Sequence, residues 1–459
     1  MGSHFITRVG SLFALILGTL SASFALAKQP DAPGKYSVGH TTVQIVLTGS
    51  LGEPRPIDVE LWFPADDTAW GDAPASTYSS RLQGVALTSW DALAWEVVSP
   101  AARETAEVAK TKYPFPVVVF SAGNNSAPID AAYTLEHVAS HGYIVAAPWH
   151  TGNTVDDVRV DFVNARAGFR VLDCLDGLPP PCTDANAGKT IRDRVGDVKA
   201  ILNTVPSIFG DAADMSRVAA AGWSRGTVSS LATTGGSTTL GIAADPRIRA
   251  VIGYAIGATA ITSTVNLGAI TVPTLLIAGD KDRNTPASIS EAAIGTIGSI
   301  DKAFVLLTGV QHRALMSGYC DIVQASGAIA QSNSRAFLDR DTISRLAVDA
   351  VNGTPLDWCS FPTFVDPVDI RPLTFTLTGV NVTETNVPRD GLDEADVDRL
   401  LRILTVSFLD SVLDAHGNDG IHYTRYLAPK FLLKKESSVG RIELWTGEGE
   451  ICPPGLCDD

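Results

Sequence analysis

The sequence predicts an α/β protein built on a doubly wound, mostly parallel β-sheet. From residue 115 onwards, short and almost wholly apolar runs alternate with stretches that have the apolar spacing of helices. Strands that are covered on both faces of a parallel sheet have this composition. Repeated strand–helix–strand units also require right-handed crossovers, which place helices on both sides of the sheet.

The elements follow in a regular order. Two β-rich runs, 42–48 and 57–63, are separated by Gly and Pro, which predicts an antiparallel edge of the sheet. Residues 65–112 are less regular, and we expect a helix near 100–110. The predicted parallel strands are 116–120, 143–147, 217–221, 250–254, 274–278 and 303–307. The predicted helices between them are 129–140, 192–205, 227–233 and 288–297.

The pattern changes after the last of these strands. Residues 314–389 form an excursion, with a predicted helix at 341–352, and we expect it to act as a lid or as a wall of the pocket. A second helix is predicted at 394–413, whose apolar stripe is better explained by core packing than by a binding surface. We therefore treat residues 28–459 as one domain that carries an excursion.

The N-terminus has the features of a secretory signal peptide. Arg8 precedes an apolar run at 12–20, and the small-residue site Ala25-Leu26-Ala27 follows. A membrane anchor is the alternative, but the run is shorter than the ~20 apolar residues that span a bilayer. We expect cleavage after Ala27, a secreted or periplasmic protein, and no stable membrane insertion afterwards.

Charge and cysteine content narrow the classes of partner. The formal net charge of −15 disfavours nucleic acid and anionic membrane surfaces. Six cysteines follow the signal segment, and an even number in an oxidising compartment favours disulfides. The simplest of fifteen possible connectivities joins neighbours: Cys174–Cys182, Cys320–Cys359 and Cys452–Cys457. The Cys and His residues lack zinc-ligand spacing, so we expect neither a metal nor a cofactor.

A candidate nucleophile follows the predicted strand 217–221. Residues 222–226 read Gly-Trp-Ser-Arg-Gly and precede a predicted helix. This G-x-S-x-G pattern is informative only between a strand and a helix, where a strained turn lifts the serine hydroxyl above the sheet. The sequence therefore predicts Ser224 as the nucleophile, with the backbone N–H of Arg225 as one oxyanion donor.

The base should follow the nucleophile in the chain, because the triad order in this arrangement is serine, acid, histidine. Only three histidines do so, and His312 alone follows a predicted strand end, whereas His416 and His422 flank the end of the last helix. His312 is thus the predicted base. The turn after strand 274–278 offers two candidate acids, Asp280 and Asp282.

Several segments together resemble the α/β-hydrolase superfamily. They are 120–124 (Phe-Ser-Ala-Gly-Asn), 139–143, 148–154, 222–226 and 279–282. The resemblance is strongest to esterases similar to dienelactone hydrolase and to platelet-activating-factor acetylhydrolase. Those esterases usually have His before the glycine of the first loop, where this chain has Ala122, and the Cys nucleophile of true dienelactone hydrolases is absent.

The resemblance implies further site residues. It places the second oxyanion donor at the backbone N–H of Asn124, and its G-x-x-D turn implies Asp282 as the acid, with Asp280 bonding turn amides or solvated. It implies that His150 lines the site without acting as base; the alternative is that His150 only fixes the loop 152–154. His150 and Trp223 are therefore the expected substrate-contacting side chains.

The predicted function is a serine carboxylic-ester hydrolase of the esterase or lipase type, acting on a small-molecule or lipid ester through an acyl-enzyme. One alternative is a catalytically silent binding protein, although such a scaffold would normally have lost a serine, acid or histidine. Another is a peptidase of the same fold, for which no gating domain is apparent.

Overall fold

The computed structural model describes residues 29–52, 54–79, 96–105, 107–124, 126–154, 188–257, 262–282, 285–310, 312–316, 373–377, 380–384, 394–414, 424–427, 432 and 439–445. The predicted signal segment, all six cysteines and the helix predicted at 341–352 lie outside these residues. The disulfide pairings therefore stay predictions.

One large sheet organises the described part of the chain. Its eleven strands have the spatial order β13-β10-β9-β8-β7-β5-β6-β2-β1-β4-β3. The strands are β1 Val38–Thr48, β2 Pro54–Pro64, β3 Ala75–Ser79, β4 Glu96–Glu104, β5 Phe115–Ser121, β6 Ile144–Pro148, β7 Ala213–Trp223, β8 Ile248–Tyr254, β9 Thr274–Gly279, β10 Lys302–Leu307 and β13 Val439–Trp445. A separate hairpin pairs β11 Leu373–Leu377 with β12 Val380–Glu384.

The centre of the sheet is parallel, as predicted. Strands β6, β5, β7, β8, β9 and β10 pair in parallel in this order, and they coincide with the six predicted strands. β1 and β2 form the predicted antiparallel pair, and β13 pairs antiparallel with β10 at the other edge. The chain steps from β5 outward to β6 and then returns to β7, so a topological switch point lies between β5 and β7. Ligands of such sheets bind at this point, beyond the carboxyl ends of the strands.

Helices cover both faces of the sheet. They are α1 Asp67–Asp72, α2 Ala132–Ser140, α3 Lys189–Phe209, α4 Arg225–Gly235, α5 Ala287–Thr296 and α6 Glu394–Leu413. One apolar core joins α2 and α6 to one face, and the other joins α3, α4 and α5 to the opposite face. Strand residues alternate between these cores, since Val118 belongs to the first and Val117 to the second. The doubly wound α/β class is thereby confirmed, and the apolar stripe of α6 packs in the core as expected.

The helix predicted near 100–110 is wrong. The chain there forms β4, which runs parallel to β1 and antiparallel to β3. Ser99 Oγ accepts hydrogen bonds from the backbone N of Ala101 and Ala102, at 3.1 and 2.7 Å, a contact that resembles a helix N-cap. Pairing with two neighbouring strands satisfies the backbone instead, so the tertiary context overrides the local helix signal.

Candidate active site

Ser224 occupies a sharp turn between the central strand β7 and helix α4. Its backbone has φ 55° and ψ −121°, a region that typically costs a non-glycine residue about 1–3 kcal/mol. The turn is held on both sides, because Ser224 N donates to Tyr254 O at 2.8 Å and Gly257 N donates to Ser224 O at 3.1 Å. The serine therefore lies at the carboxyl end of β7, beside the switch point.

The two glycines of the pentapeptide are required by close backbone contacts. A Cβ atom on Gly222 would lie 2.3 Å from the backbone of Gly226, and one on Gly226 would lie 1.7 Å from the carbonyl oxygen of Ser121. No L side chain fits at either distance without moving the backbone. The sequence pattern thus reflects how closely β7, α4 and the end of β5 approach one another.

The structure brings His312 and Asp282 together. His312 Nδ1 lies 2.7 Å from Asp282 Oδ2, and both residues are buried, with 5% and 4% of their surface exposed. Asp282 follows β9 and His312 follows β10, and these strands are neighbours in the sheet. A carboxylate at Nδ1 favours the tautomer that carries the proton on Nδ1, in which Nε2 is the basic nitrogen.

Thr285 completes the surroundings of this carboxylate. Its backbone N donates to Asp282 Oδ1 at 2.7 Å, and its hydroxyl donates to Asp282 Oδ2 at 2.8 Å and lies 3.0 Å from His312 Nδ1. Sequence reasoning missed this residue. The available signal was a short polar side chain three positions after an aspartate, which commonly forms such a turn.

Asp280, the other candidate acid, binds the loop that carries the histidine. Gly309 N donates to Asp280 Oδ1 at 2.7 Å, and Asp280 N donates to Leu307 O at 3.0 Å. This contact to a backbone amide is the type expected for a structural aspartate. The geometry favours Asp282 as the partner of His312.

Trp223 links the serine turn to the histidine. Its ring centroid lies 4.6 Å from that of His312, and its Nε1 donates to His312 O at 3.0 Å. Gly123 packs on the other part of the indole, since a Cβ there would lie 2.3 Å from the ring. Trp223 is only 4% exposed, so its observed contacts hold the loop of Gly123 and the loop of His312 against the nucleophile turn.

His150 is buried beneath the first loop. Its Nε2 lies 2.6 Å from Ser121 Oγ, and its Nδ1 lies 2.8 Å from Asp197 Oδ2, while 2% of the residue is exposed. Burial lowers the pKa of His150 to about 4, so the ring is neutral at pH 7. Both ring nitrogens contact the protein, which favours a structural role over contact with substrate. The ring binds Ser121 and Asp197, however, and not the side chains of the loop 152–154 that the alternative named.

A buried arginine, Arg194 of α3, holds the segment that contains Asn124. Its guanidinium donates to Ala122 O, Gly123 O and Asn153 Oδ1, each at 2.6 Å. Asn153 Nδ2 in turn donates to Asn124 Oδ1 at 2.7 Å. Sequence reasoning missed Arg194, although its helical spacing from the apolar Ile191 and Val198 places it on the buried face of α3.

The two predicted oxyanion donors, Asn124 and Arg225, belong to two segments that pack together, since Gly123 lies against Trp223 and Gly226 lies against Ser121. Asn124 belongs to the loop after β5, and Arg225 is the first residue of α4, where helix N–H groups lack partners within the helix. Among the described residues, no group of three or more His, Cys, Asp or Glu side chains could hold a metal ion. Nor does any helix in the described ranges have the length and hydropathy to cross a membrane.

A serine on a strained strand-to-helix turn, followed along the chain by an aspartate and a histidine in contact, defines the class of α/β hydrolases. Comparisons with known proteins agree. Residues 184–348 match the model of the PET hydrolase-like family, and residues 52–158 match that of platelet-activating factor acetylhydrolase, isoform II. Both matches are to families of esterase-like hydrolases, and together they support an α/β-hydrolase, esterase-like family for this chain.

The chain was also compared with solved structures and with curated proteins. A ferulic acid esterase from Streptomyces cinnamoneus is similar at 19% sequence identity over 84% of this chain and 94% of that chain, with a TM-score of 0.49. No curated protein matches the sequence. The family matches are therefore the comparisons that bear on this chain, and they support an ester hydrolase.

Proposed function

We propose that the chain is a secreted serine carboxylic-ester hydrolase that works through an acyl-enzyme on Ser224. The observation that carries the proposal is the contact of His312 Nδ1 with Asp282 Oδ2 at 2.7 Å, in a histidine whose ring packs on the residue preceding Ser224. The two family matches support the same class of reaction.

In the proposed reaction, Ser224 Oγ attacks the ester carbonyl carbon while its proton passes to His312 Nε2. The negative charge on the carbonyl oxygen is stabilised by the backbone N–H groups of Asn124 and Arg225, and such a donor typically contributes about 3–4 kcal/mol. The alcohol then leaves with the proton from His312, and the acyl group stays on Ser224. Water, deprotonated by His312, releases the carboxylic acid by the same steps in reverse.

Asp282 orients the imidazole and stabilises its protonated form, and Thr285 holds both carboxylate oxygens of Asp282. The site needs no cofactor for this chemistry. The excursion 314–389 is proposed as a lid or pocket wall, because it directly follows the histidine loop.

Replacement of Ser224 by alanine tests the proposal. Ser224→Ala removes only the attacking oxygen, so hydrolysis of p-nitrophenyl acetate should fall to below a few per cent of the wild-type kcat with an unchanged melting temperature. Short p-nitrophenyl esters should be cleaved and aminoacyl anilides should not. Cleavage of the anilides would favour a peptidase, and no turnover of either would favour a silent binding protein.

A further inference from the structure

The loop that contains Asn124 is fixed from behind by one buried cation. Arg194 contributes all three of its guanidinium nitrogens, two to the successive carbonyls of Ala122 and Gly123 and one to Asn153. Resting on the proposed esterase function, we propose that Arg194 is the positioning residue of the oxyanion hole. It sets the direction of the N–H groups of Gly123 and Asn124 without contacting substrate.

The planarity of the peptide bond carries the argument. In a trans peptide the C=O of one residue and the N–H of the next lie in one plane and point in opposite directions. The carbonyl of Gly123 shares its peptide group with the N–H of Asn124, and the carbonyl of Ala122 shares its group with the N–H of Gly123. Because Arg194 binds both carbonyls, both N–H groups are directed away from α3.

Asn153 provides a second link between Arg194 and the loop. Its Oδ1 accepts from Arg194 Nε at 2.6 Å, and its Nδ2 donates to Asn124 Oδ1 at 2.7 Å. The side chain of Asn124 is thereby held on the side of Arg194, which leaves its backbone as the part that can serve the oxyanion. The side chain of Asn124 thus helps to position the backbone N–H of the same residue.

The charge of Arg194 adds to its geometric role. Arg194 is 1% exposed, and although burial lowers its pKa to about 9, it remains a cation at neutral pH. A cation that binds a carbonyl oxygen polarises the whole peptide group, and its N–H becomes a stronger donor. A buried charge is costly compared with apolar packing, and the nearby carboxylate of Asp197 offsets part of this cost for Arg194.

The same loop is also held at its start. Ser121 Oγ lies 2.6 Å from His150 Nε2, and Asp197 lies 2.8 Å from His150 Nδ1 and 2.5 Å from Arg55 Nη1. This chain of contacts fixes the end of β5, whereas the peptide groups that follow it are bound by Arg194. The two sets share no hydrogen bond, although the charges of Arg194 and Asp197 interact, so a substitution that keeps the positive charge of Arg194 separates them best.

The test compares Arg194→Lys with a matched control, Arg217→Lys. Arg217 also binds backbone carbonyls, those of Pro114 and Leu413, but near the amino end of β7. We expect Arg194→Lys to lower kcat for p-nitrophenyl acetate by at least about tenfold with KM changed less than threefold, because a lysine has a single nitrogen and cannot reproduce the planar fork that binds both carbonyls and Asn153. Arg217→Lys should affect the melting temperature and leave kcat within about twofold.

A trifluoromethyl ketone, which forms an oxyanion adduct with the active serine, gives the second readout. Its Ki should rise in Arg194→Lys by the same factor as kcat falls, since both depend on the oxyanion donors. A purely structural role would lower the melting temperature without this parallel change. A folded Arg194→Lys protein with wild-type kcat and Ki would overturn the inference.

If Arg194→Lys does not fold, the variant Asn153→Ala tests the inference instead. That variant keeps the contacts of Arg194 with the two carbonyls and removes the acceptor of its Nε together with the link to Asn124. We therefore expect a smaller fall in kcat than in Arg194→Lys, and a rise in Ki by the same factor as kcat falls. Unchanged kcat and Ki in a folded Asn153→Ala protein would then contradict the inference. If wild-type protein cleaves no ester, the proposed function itself is wrong. If the wild type is active, Ser224→Ala is inactive and the variants of Arg194 and Asn153 keep full activity, the esterase function stands and only the positioning role of Arg194 is contradicted.

Discussion

Asp280 and Asp282 lie two residues apart in one turn, yet their carboxylates have different partners. Asp280 accepts from the backbone N of Gly309, whereas Asp282 contacts His312 and both donors of Thr285. A backbone amide needs only an acceptor, which an asparagine also provides. An imidazole that becomes charged during the reaction needs the negative carboxylate.

The first prediction follows from this difference. Asp282→Asn should lower kcat by about 10⁴-fold with little change in KM, because its amide can favour the wrong histidine tautomer. Asp280→Asn should stay within about tenfold of wild type, since its Oδ1 still accepts from Gly309 N. Steady-state kinetics on p-nitrophenyl acetate checks both. A larger loss in Asp280→Asn would mean that the acid is misassigned.

Site residues were predictable from sequence to the extent that a local pattern marks them. Ser224 and His312 follow strand ends, so the strand pattern alone limits the choice. Arg194 and Thr285 were missed for different reasons. Arg194 acts on residues 72 and 71 positions earlier in the chain, a contact that no local pattern encodes. Thr285 follows its partner Asp282 by only three residues, but threonine in a turn is too common to indicate a role.

At the scale of elements, the site depends on how closely three of them meet. The end of β5, the end of β7 and the first turn of α4 approach so closely that only glycine fits at 222 and 226. By contrast, Gly196 lies within helix α3 and is exposed, and a Cβ there would meet no atom within 4 Å. A methyl group added at Gly226 of α4 would therefore clash with the backbone, whereas one added at Gly196 of α3 would not.

The second prediction compares Gly226→Ala with Gly196→Ala. Gly226→Ala should destabilise the fold or displace Ser121, with a loss of at least about 3 kcal/mol in the free energy of unfolding or a severe loss of kcat. Gly196→Ala should stabilise the protein by about 0.5–1 kcal/mol, since alanine is the better helix former. Urea unfolding followed by circular dichroism measures both. A Gly226→Ala protein with wild-type stability and kcat would contradict the close contact between Gly226 and the carbonyl oxygen of Ser121.

Elements were predictable where both faces of a strand are buried. All six parallel strands and the helix of residues 394–413 occur where the apolar periodicity indicates them. The local sequence of β4 favours a helix, because Ser99 in the middle of the strand is a good N-cap residue and two alanines follow it. The strands β3 and β13 were not predicted, since edge strands obtain their structure from a neighbour rather than from a pattern of their own.

At the scale of the whole molecule, two buried histidines make the free energy of unfolding depend on pH. Burial lowers the pKa of both His137 and His150 to about 4, against about 6.5 in an unfolded chain. Between these values the unfolded state binds more protons than the folded state. The free energy of unfolding should therefore fall as the pH falls from 6.5 towards 4.

The third prediction isolates the contribution of His150. Between pH 7 and pH 5, His150 should remove about 2 kcal/mol from the free energy of unfolding, and His150→Gln should lose this amount of pH dependence. Burial raises the pKa of Glu136, which gives an opposite slope above pH 4.5, but this contribution is shared by both proteins and cancels. Urea midpoints at the two pH values supply the comparison. Identical pH dependence in the two proteins would contradict the buried, neutral histidine.

The most direct test of the central claim is to find the acyl group on Ser224. Wild-type protein is mixed with excess p-nitrophenyl acetate, quenched in acid within milliseconds and digested, and the peptides are analysed by mass spectrometry. The account predicts an acetyl group of 42 Da on Ser224, as calculated for replacement of H by C₂H₃O. It also predicts no acetylation at this position in Ser224→Ala. An acetyl group on another residue, with Ser224 unmodified while ester is being turned over, would contradict the account.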